Sequence, residues 1–386
     1  MKVIISAMKT TTQSNSISNA KKRIILKKPL KLFSVIILPL SLIFLIPALM
    51  ATLDGDKTDY TALESYISSK MKQNQVPGLS MTIFKGEKTL YTKGFGVKSA
   101  VTGELVNEDT IFQGASFSKT LTAYAALMLV EKGKLSLDEP LQKYLKREYL
   151  PNPKNASQIT LRMVLNHTSG LSNDSDGNDR RVFFRPGSYF SYSGAGFRYL
   201  QQAMEDVTGL PFAEFMDQEL ISPLAMNSSS FVFRDAFASR MASGHEAGRV
   251  FQKPKMEPNA AYSLLTTPGD MARFNQEICN PKLLKPDTVA QMLRPMVKWK
   301  KNVYWGLGFG ILKSANEDFF WHWGNNYNFN GIMITGKDSK AGVIIMTNGN
   351  TGMRLAGRLA VKVVNDYFRK LGQSQDLDPY TFDFLL

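Results

Sequence analysis

An uncharged stretch constrains this chain more than any other feature. From Leu32 to Leu53 the sequence reads LFSVIILPLSLIFLIPALMATL, without one Asp, Glu, Lys or Arg. A run of about 18 or more such residues can cross the hydrocarbon core of a bilayer. Pro39 and Pro47 argue against a soluble core helix here, yet both are tolerated in lipid. Residues 1–31 carry eight lysines and arginines and no acid, and Asp54 is the first acidic residue. Basic, then apolar, then polar is the order of an export signal or a signal anchor. The positive-inside rule places Lys21 to Lys31 in the cytoplasm and everything after Leu53 outside it. An uncleaved anchor, a cleaved signal and an organellar transit segment stay open, because Ala48 and Ala51 do not form a clean cleavage pattern. The expected division is a basic leader at 1–31, a transmembrane anchor or signal peptide at 32–53, and a folded unit at 54–386. The folded unit is expected in the periplasm or outside the cell, and secreted if the leader is cleaved.

The formal net charge is +14, and more than half of it lies in the leader. The remainder is diffuse, with no basic stripe interleaved with aromatics, so the sequence gives no support to a nucleic-acid partner. Cys279 is the single cysteine, which excludes an internal disulfide and a thiolate metal cluster. His167, His245 and His322 are the only histidines, too few for a multi-histidine zinc site without carboxylate help.

Beyond the leader, Asp59 to Lys72 has the apolar spacing of an amphipathic helix. Leu79 to Phe84 and Thr89 to Gly96 read as strands around the turn Lys85-Gly86-Glu87-Lys88. Phe112 to Gly114 leads into a strong helix, Ser116 to Lys132, closed by Gly133. A mostly helical region follows, about 135–295, with helical stretches at Ile159–Leu165, Gly196–Thr208, Pro211–Leu220 and Pro268–Ile278. Strand-like runs then return at Tyr304–Leu312, Phe319–Trp323, Gly331–Thr335 and Gly342–Thr347, before a last helix, Met353–Leu371. Strands at both ends and helices between predict an α/β (α+β) fold. Its antiparallel sheet would be built from both chain ends and flanked by helices, with an inserted helical lobe.

The segment Gln113-Gly114-Ala115-Ser116-Phe117-Ser118-Lys119 contains Ser-x-x-Lys at a strand-to-helix junction. Residues three apart share a helix face, so the Lys119 amine can reach the Ser116 hydroxyl and take its proton. That requires a neutral amine, and hence desolvation or a nearby cation. The same four-residue pattern occurs at Ser6/Lys9, Ser18/Lys21 and Ser69/Lys72, but only Ser116 opens an apolar helix. A helix N-cap serine is the competing reading. Tyr192 lies in a glycine-rich loop, where it could shuttle a proton or simply pack beneath the loop. His322, among Phe320, Trp321 and Trp323, could be catalytic or a core histidine.

Taken together, these motifs resemble the serine β-lactamase-like hydrolases of the class C type, which include penicillin-binding peptidases, esterases and amidohydrolases. The resemblance runs from Asp59 to Arg369. It includes Ser116-x-x-Lys119, Leu165-Asn166-His167-Thr168-Ser169-Gly170-Leu171, Tyr192-Ser193-Gly194, Pro223-Leu224-Ala225-Met226, Leu265-Thr266-Thr267-Pro268-Gly269-Asp270 and His322-Trp323-Gly324. It implies Ser116 as acylated nucleophile, Lys119 as its base partner and Tyr192 as proton shuttle. His322 would stand where many relatives have the lysine of a K-T-G motif. The backbone N–H groups of Ser116 and Asn325 would form the oxyanion hole, and Gly194, Trp323 and Gly324 would border the substrate. The reaction implied is acyl transfer to water through a serine ester, with no metal or cofactor.

Two departures bear on the substrate. The usual Tyr-x-Asn has Gly194 in its third place, so the amide that would bind an acylamino group is missing. Histidine at 322 removes a permanent cation. Both favour esters or small amides over β-lactams. A D-Ala carboxypeptidase or β-lactamase is the alternative enzyme. A penicillin- or muropeptide-binding sensor that acylates with little turnover is the alternative outside catalysis. His167 is expected to buttress the loop beneath the site. Asn173 to Asp179 starts like a calcium loop, but Arg185 stands where the closing acid belongs, so it reads as a solvated loop bordering the site. Gly306, Gly308 and Gly310 mark a strand under close backbone approach. Trp305, Trp321 and Trp323 are pocket or core residues.

Overall fold

The computed structural model describes residues 58–251, 256–369 and 376–385. The leader and the uncharged stretch lie outside the described residues. Among the described residues, no helix is long and apolar enough to cross a membrane.

Two strands near the start meet the strands near the end in one sheet. Strand β1 (Gly78–Lys85) pairs antiparallel with β2 (Lys88–Gly96) on one side and with β12 (Ala341–Thr347) on the other. The order is β2-β1-β12-β11-β10-β9-β8-β7, with β7 at Val297–Lys300, β8 at Val303–Trp305, β9 at Gly310–Lys313, β10 at Asp318–Asn325 and β11 at Asn330–Gly336. β11 and β12 are buried on both faces, which explains their near-continuous apolar sequence. Ile332, Ile334, Val343 and Ile345 face helices α1 (Thr61–Asn74) and α9 (Gly352–Val363). Met333, Ile344 and Met346 face the opposite layer.

At the centre of that layer is helix α2 (Phe117–Glu131), buried on nearly every side. Its sequence, rich in Ala and Leu with no charge between Lys119 and Glu131, suits a helix enclosed all round. It touches β10 on one side and helix α5 (Gly194–Thr208) on the other. The remaining helices are α3 (Pro153–Ala156), α4 (Leu161–Leu165), α6 (Phe212–Met216), α7 (Pro268–Cys279) and α8 (Pro286–Met292). Thr160, Ser193 and Thr267 cap α4, α5 and α7 by accepting from backbone N–H groups at 163, 196 and 270.

Three features differ from the sequence reading. The expected strand Tyr304–Leu312 is broken into β8 and β9. Gly308 adopts φ +88°, and its N–H donates to the Leu165 carbonyl at 2.8 Å. A Cβ on Gly308 would lie 2.4 Å from Ala123 Cβ on α2, so the chain turns where it meets that helix. The middle region also contains strands: a hairpin, β4 (Gly244–Glu246) with β5 (Arg249–Phe251), and β6 (Leu264–Thr266). β6 pairs with β3 (Phe112–Ala115), just ahead of α2. Finally, α9 passes into a π-helical turn over Val364–Phe368.

Candidate active site

The site forms where β3 turns into α2. Ala115 takes φ +48°, a left-handed conformation that costs a non-glycine residue about 1–3 kcal/mol. Ser118 holds this turn: its hydroxyl donates to the Ala115 carbonyl at 2.6 Å and accepts from the Leu264 N–H of β6 at 3.0 Å. Ser116 is thereby lifted to the helix start and is the one half-buried residue between Ile111 and Thr120. It occupies the N-cap position, but its side chain caps nothing. The hydroxyl is instead engaged by Lys119 Nζ at 3.1 Å.

Lys119 is almost wholly enclosed, with 1% of its surface exposed. Its Nζ donates to the Ala261 carbonyl at 2.9 Å and lies 4.9 Å from the Tyr192 ring centre. Among the described residues no carboxylate pairs with it, and burial pulls its pKa down to about 7. The amine is therefore substantially neutral at neutral pH, with a lone pair available for the Ser116 proton.

Tyr192 is half-buried, and its hydroxyl is enclosed. Burial raises the phenol pKa, and the neighbouring Ser116 hydroxyl partly opposes the rise. Tyr192 is thus held protonated, which suits a proton donor better than a resting phenolate. Its ring packs 4.3 Å from His167 and 4.6 Å from Trp323, centre to centre.

His322 has no exposed surface. Its Nδ1 lies 2.7 Å from the Trp323 carbonyl, so the proton sits on Nδ1 and the lone pair on Nε2. Burial, reinforced by the Lys119 charge and opposed by that backbone bond, pushes its pKa down to about 3. It is a neutral residue beneath the site. It does not stand at the surface as a substrate-gripping cation would.

The other predicted residues are placed as follows. A Cβ on Gly324 would meet the Gly114 carbonyl at 2.4 Å, so only glycine lets β10 come this close to β3. That contact holds the Asn325 end of β10 against the Ser116 turn. Asn326 Nδ2 ties the following loop to Gln113 Oε1 at 3.0 Å. Trp323 is half-buried beside Tyr192, whereas Trp305 and Trp321 are core residues. Gly194 begins α5. His167, at φ +58° and fully buried, accepts at Nδ1 from the Ser193 N–H at 3.1 Å and so fixes the backbone beside Tyr192. Burial and the charge of Lys119 keep it neutral.

The sequence reading did not find the Ala261 carbonyl, the Ser118 brace or the part played by the 173–179 loop. Asp174 is not poised for a cation: its carboxylate accepts from the Asp176 and Asp179 N–H groups at 3.0 and 2.6 Å. Cys279 is no nucleophile, since burial pushes its thiol up to about 12.

The family model described as Beta-lactamase matches residues 63–365. Protein flp of Staphylococcus aureus (strain MRSA252) is 22% identical over 333 residues, covering 78% of this chain and 66% of flp. This chain thus spans just under two thirds of the flp length. Esterase EstB of Burkholderia gladioli is 27% identical over 316 residues, covering 66% of this chain and 80% of EstB. The octameric penicillin-binding protein homologue from Pyrococcus abyssi superposes with a TM-score of 0.73 at 24% identity, covering 84% of this chain and 79% of that one. That likeness speaks to the fold. With the family model matching most of the chain, and the eight-stranded sheet closed by both ends of the folded unit, the protein belongs to the β-lactamase family of serine hydrolases.

Proposed function

We propose that this protein hydrolyses carboxylic esters, or small amides, through a Ser116 acyl-enzyme, and that its leader holds the catalytic unit at the cell envelope. One observation carries the chemistry: a buried lysine amine, brought to about pKa 7 by desolvation, lies 3.1 Å from the Ser116 hydroxyl. Neutral Lys119 takes the Ser116 proton as Oγ attacks the substrate carbonyl. The backbone N–H groups of Ser116 and Asn325 receive the oxyanion, each such donor contributing about 3 kcal/mol to the barrier reduction. Tyr192 passes a proton to the leaving alcohol, and water then reverses the sequence to free the acid. The preference for esters over β-lactams is supported by the glycine at 194, by the neutral enclosed state of His322, and by the likeness to an esterase. Envelope anchoring is supported by the charge layout of residues 1–53.

The test is turnover of short-chain nitrophenyl esters, a fluorescent penicillin and a D-Ala-D-Ala peptide, beside a Ser116→Ala control. Ester hydrolysis should dominate and fall by at least about 10³-fold in the variant. Stable penicillin labelling without ester turnover would replace this reading with a sensor. Activity surviving Ser116→Ala would sink the mechanism.

A further inference from the structure

Tyr192 is backed by aromatic rings from distant parts of the chain. Trp323, 4.6 Å from it centre to centre, stacks in turn on Trp299 at 5.9 Å, with the two planes 22° apart. Phe190, two residues before Tyr192, packs on the same Trp299 at 5.0 Å. Trp299 therefore supports Tyr192 along two routes. It stands on β7, the last strand in the order of the sheet. The pairing of β7 with β8 shifts register between Lys298 and Lys300, which leaves Trp299 as the extra residue of a bulge. A bulge re-aims the side chain it carries, and the ladder gives that residue no partner.

The segment 376–385 lies against Trp299 and is fastened on its way there. Asn365 bonds the Leu377 backbone twice, accepting from its N–H at 2.9 Å and donating to its carbonyl at 2.8 Å. Asp383 pairs with Arg358 of α9 at 2.9 Å. Phe382 is buried and packs 4.8 Å from Trp321. Phe384 then meets the Trp299 ring edge-on at 5.0 Å. A strap tied to α9 and to the π-helical turn after it thus reaches the bulged tryptophan, and ring contacts run unbroken from Phe384 to Tyr192.

We propose that Phe384 is a positioning residue for proton transfer: its contact with Trp299 keeps the aromatic stack closed and the Tyr192 hydroxyl aimed at the leaving oxygen. This rests on the ester-hydrolase reading. In that reaction the proton that Lys119 takes from Ser116 reaches the departing oxygen by way of Tyr192 as the ester C–O bond breaks. An alkoxide needs that proton. A nitrophenolate leaves as a stable anion and does not. The strap therefore matters for esters of ordinary alcohols and little for activated ones.

The experiment compares kcat/KM for ethyl acetate and nitrophenyl acetate, using the full-length wild type, Phe384→Ala and Phe384→Tyr. Phe384→Ala should lose about tenfold more on the ethyl ester than on the nitrophenyl ester, a fraction of what a general acid is worth. Phe384→Tyr keeps the ring and should keep the wild-type ratio. In a Tyr192→Phe background, Phe384→Ala should shift the ratio no further. Equal losses on both esters in a folded Phe384→Ala enzyme are what lost packing alone would give, and they overturn this proposal without touching the ester reading. A further shift in the Tyr192→Phe background also overturns it, because Phe384 would then act by another route. If Phe384→Ala does not fold, Asp383→Asn, which loosens the tie to Arg358, decides: a ratio shifted against the ethyl ester supports the proposal and an unchanged one overturns it. A wild type that turns over neither ester overturns the ester reading and this one with it.

Discussion

In the proposed mechanism Lys119 is the base, and its burial has consequences in two measurements. Because the amine must be neutral, kcat/KM should rise with pH below an apparent pKa near 7 and level off above it. A profile flat from pH 5 to 9 would remove Lys119 as the base. Stability should respond as well. The folded-state pKa, about 7, lies below the ordinary 10.5, so between these values the unfolded chain binds a proton that the folded protein does not. Stability therefore rises with pH across that window, and below it the full cost of the lowered pKa is present. Lys119→Met should abolish that rise, as read by denaturant unfolding between pH 7 and 9.5. Spacing together with the strand-to-helix junction made the Ser116–Lys119 pair legible, since three residues make nearly one helical turn. What spacing could not reveal was that burial encloses the amine without a counter-ion among the described residues, which leaves desolvation unopposed.

At the scale of elements, the site depends on two close backbone approaches. The β3–α2 turn is strained at Ala115, and Ser118 bridges it to β6. β10 reaches the turn only because position 324 has no side chain. Gly324→Ala must push β10 away from the Gly114 carbonyl, 2.4 Å from the new methyl. It is expected to cost about 1–3 kcal/mol of stability. Activity should fall further than stability does, because the Asn325 donor moves away from Ser116. A variant with wild-type kcat would refute the placement of the oxyanion hole. The strands β1, β2, β11 and β12 were readable from their apolar runs. β6 was not, since three residues carry no usable periodicity and its partner strand β3 lies about 150 residues away in sequence. The break between β8 and β9 was also hidden: a glycine-rich strand and a glycine-rich turn look alike until Ala123 of α2 lies against one of the glycines.

For the whole molecule, the sheet joins chain segments that begin near residue 78 and end near 347. The middle of the chain is held between them, and it supplies Tyr192 and Ala261 to a site that the strands frame. The proposed anchor belongs to this scale too. The full chain should partition with membranes and be released by detergent, whereas a chain starting at residue 58 should stay in the soluble fraction. Full-length protein found in the soluble fraction without processing would refute the anchor. The sequence by itself determined the family and the sheet built from both ends, and it named Ser116, Lys119 and Tyr192 as the candidates, because these depend on residue type, local spacing and the period of apolar residues. It also left Ser116 balanced between nucleophile and helix cap, and His322 between catalyst and core. Only the tertiary structure decided that the Ser116 hydroxyl caps nothing, that His322 is enclosed and neutral, and that Phe384 packs against Trp299. Each of these depends on which distant segments exclude water from a group or occupy the space beside it, and local sequence does not encode that.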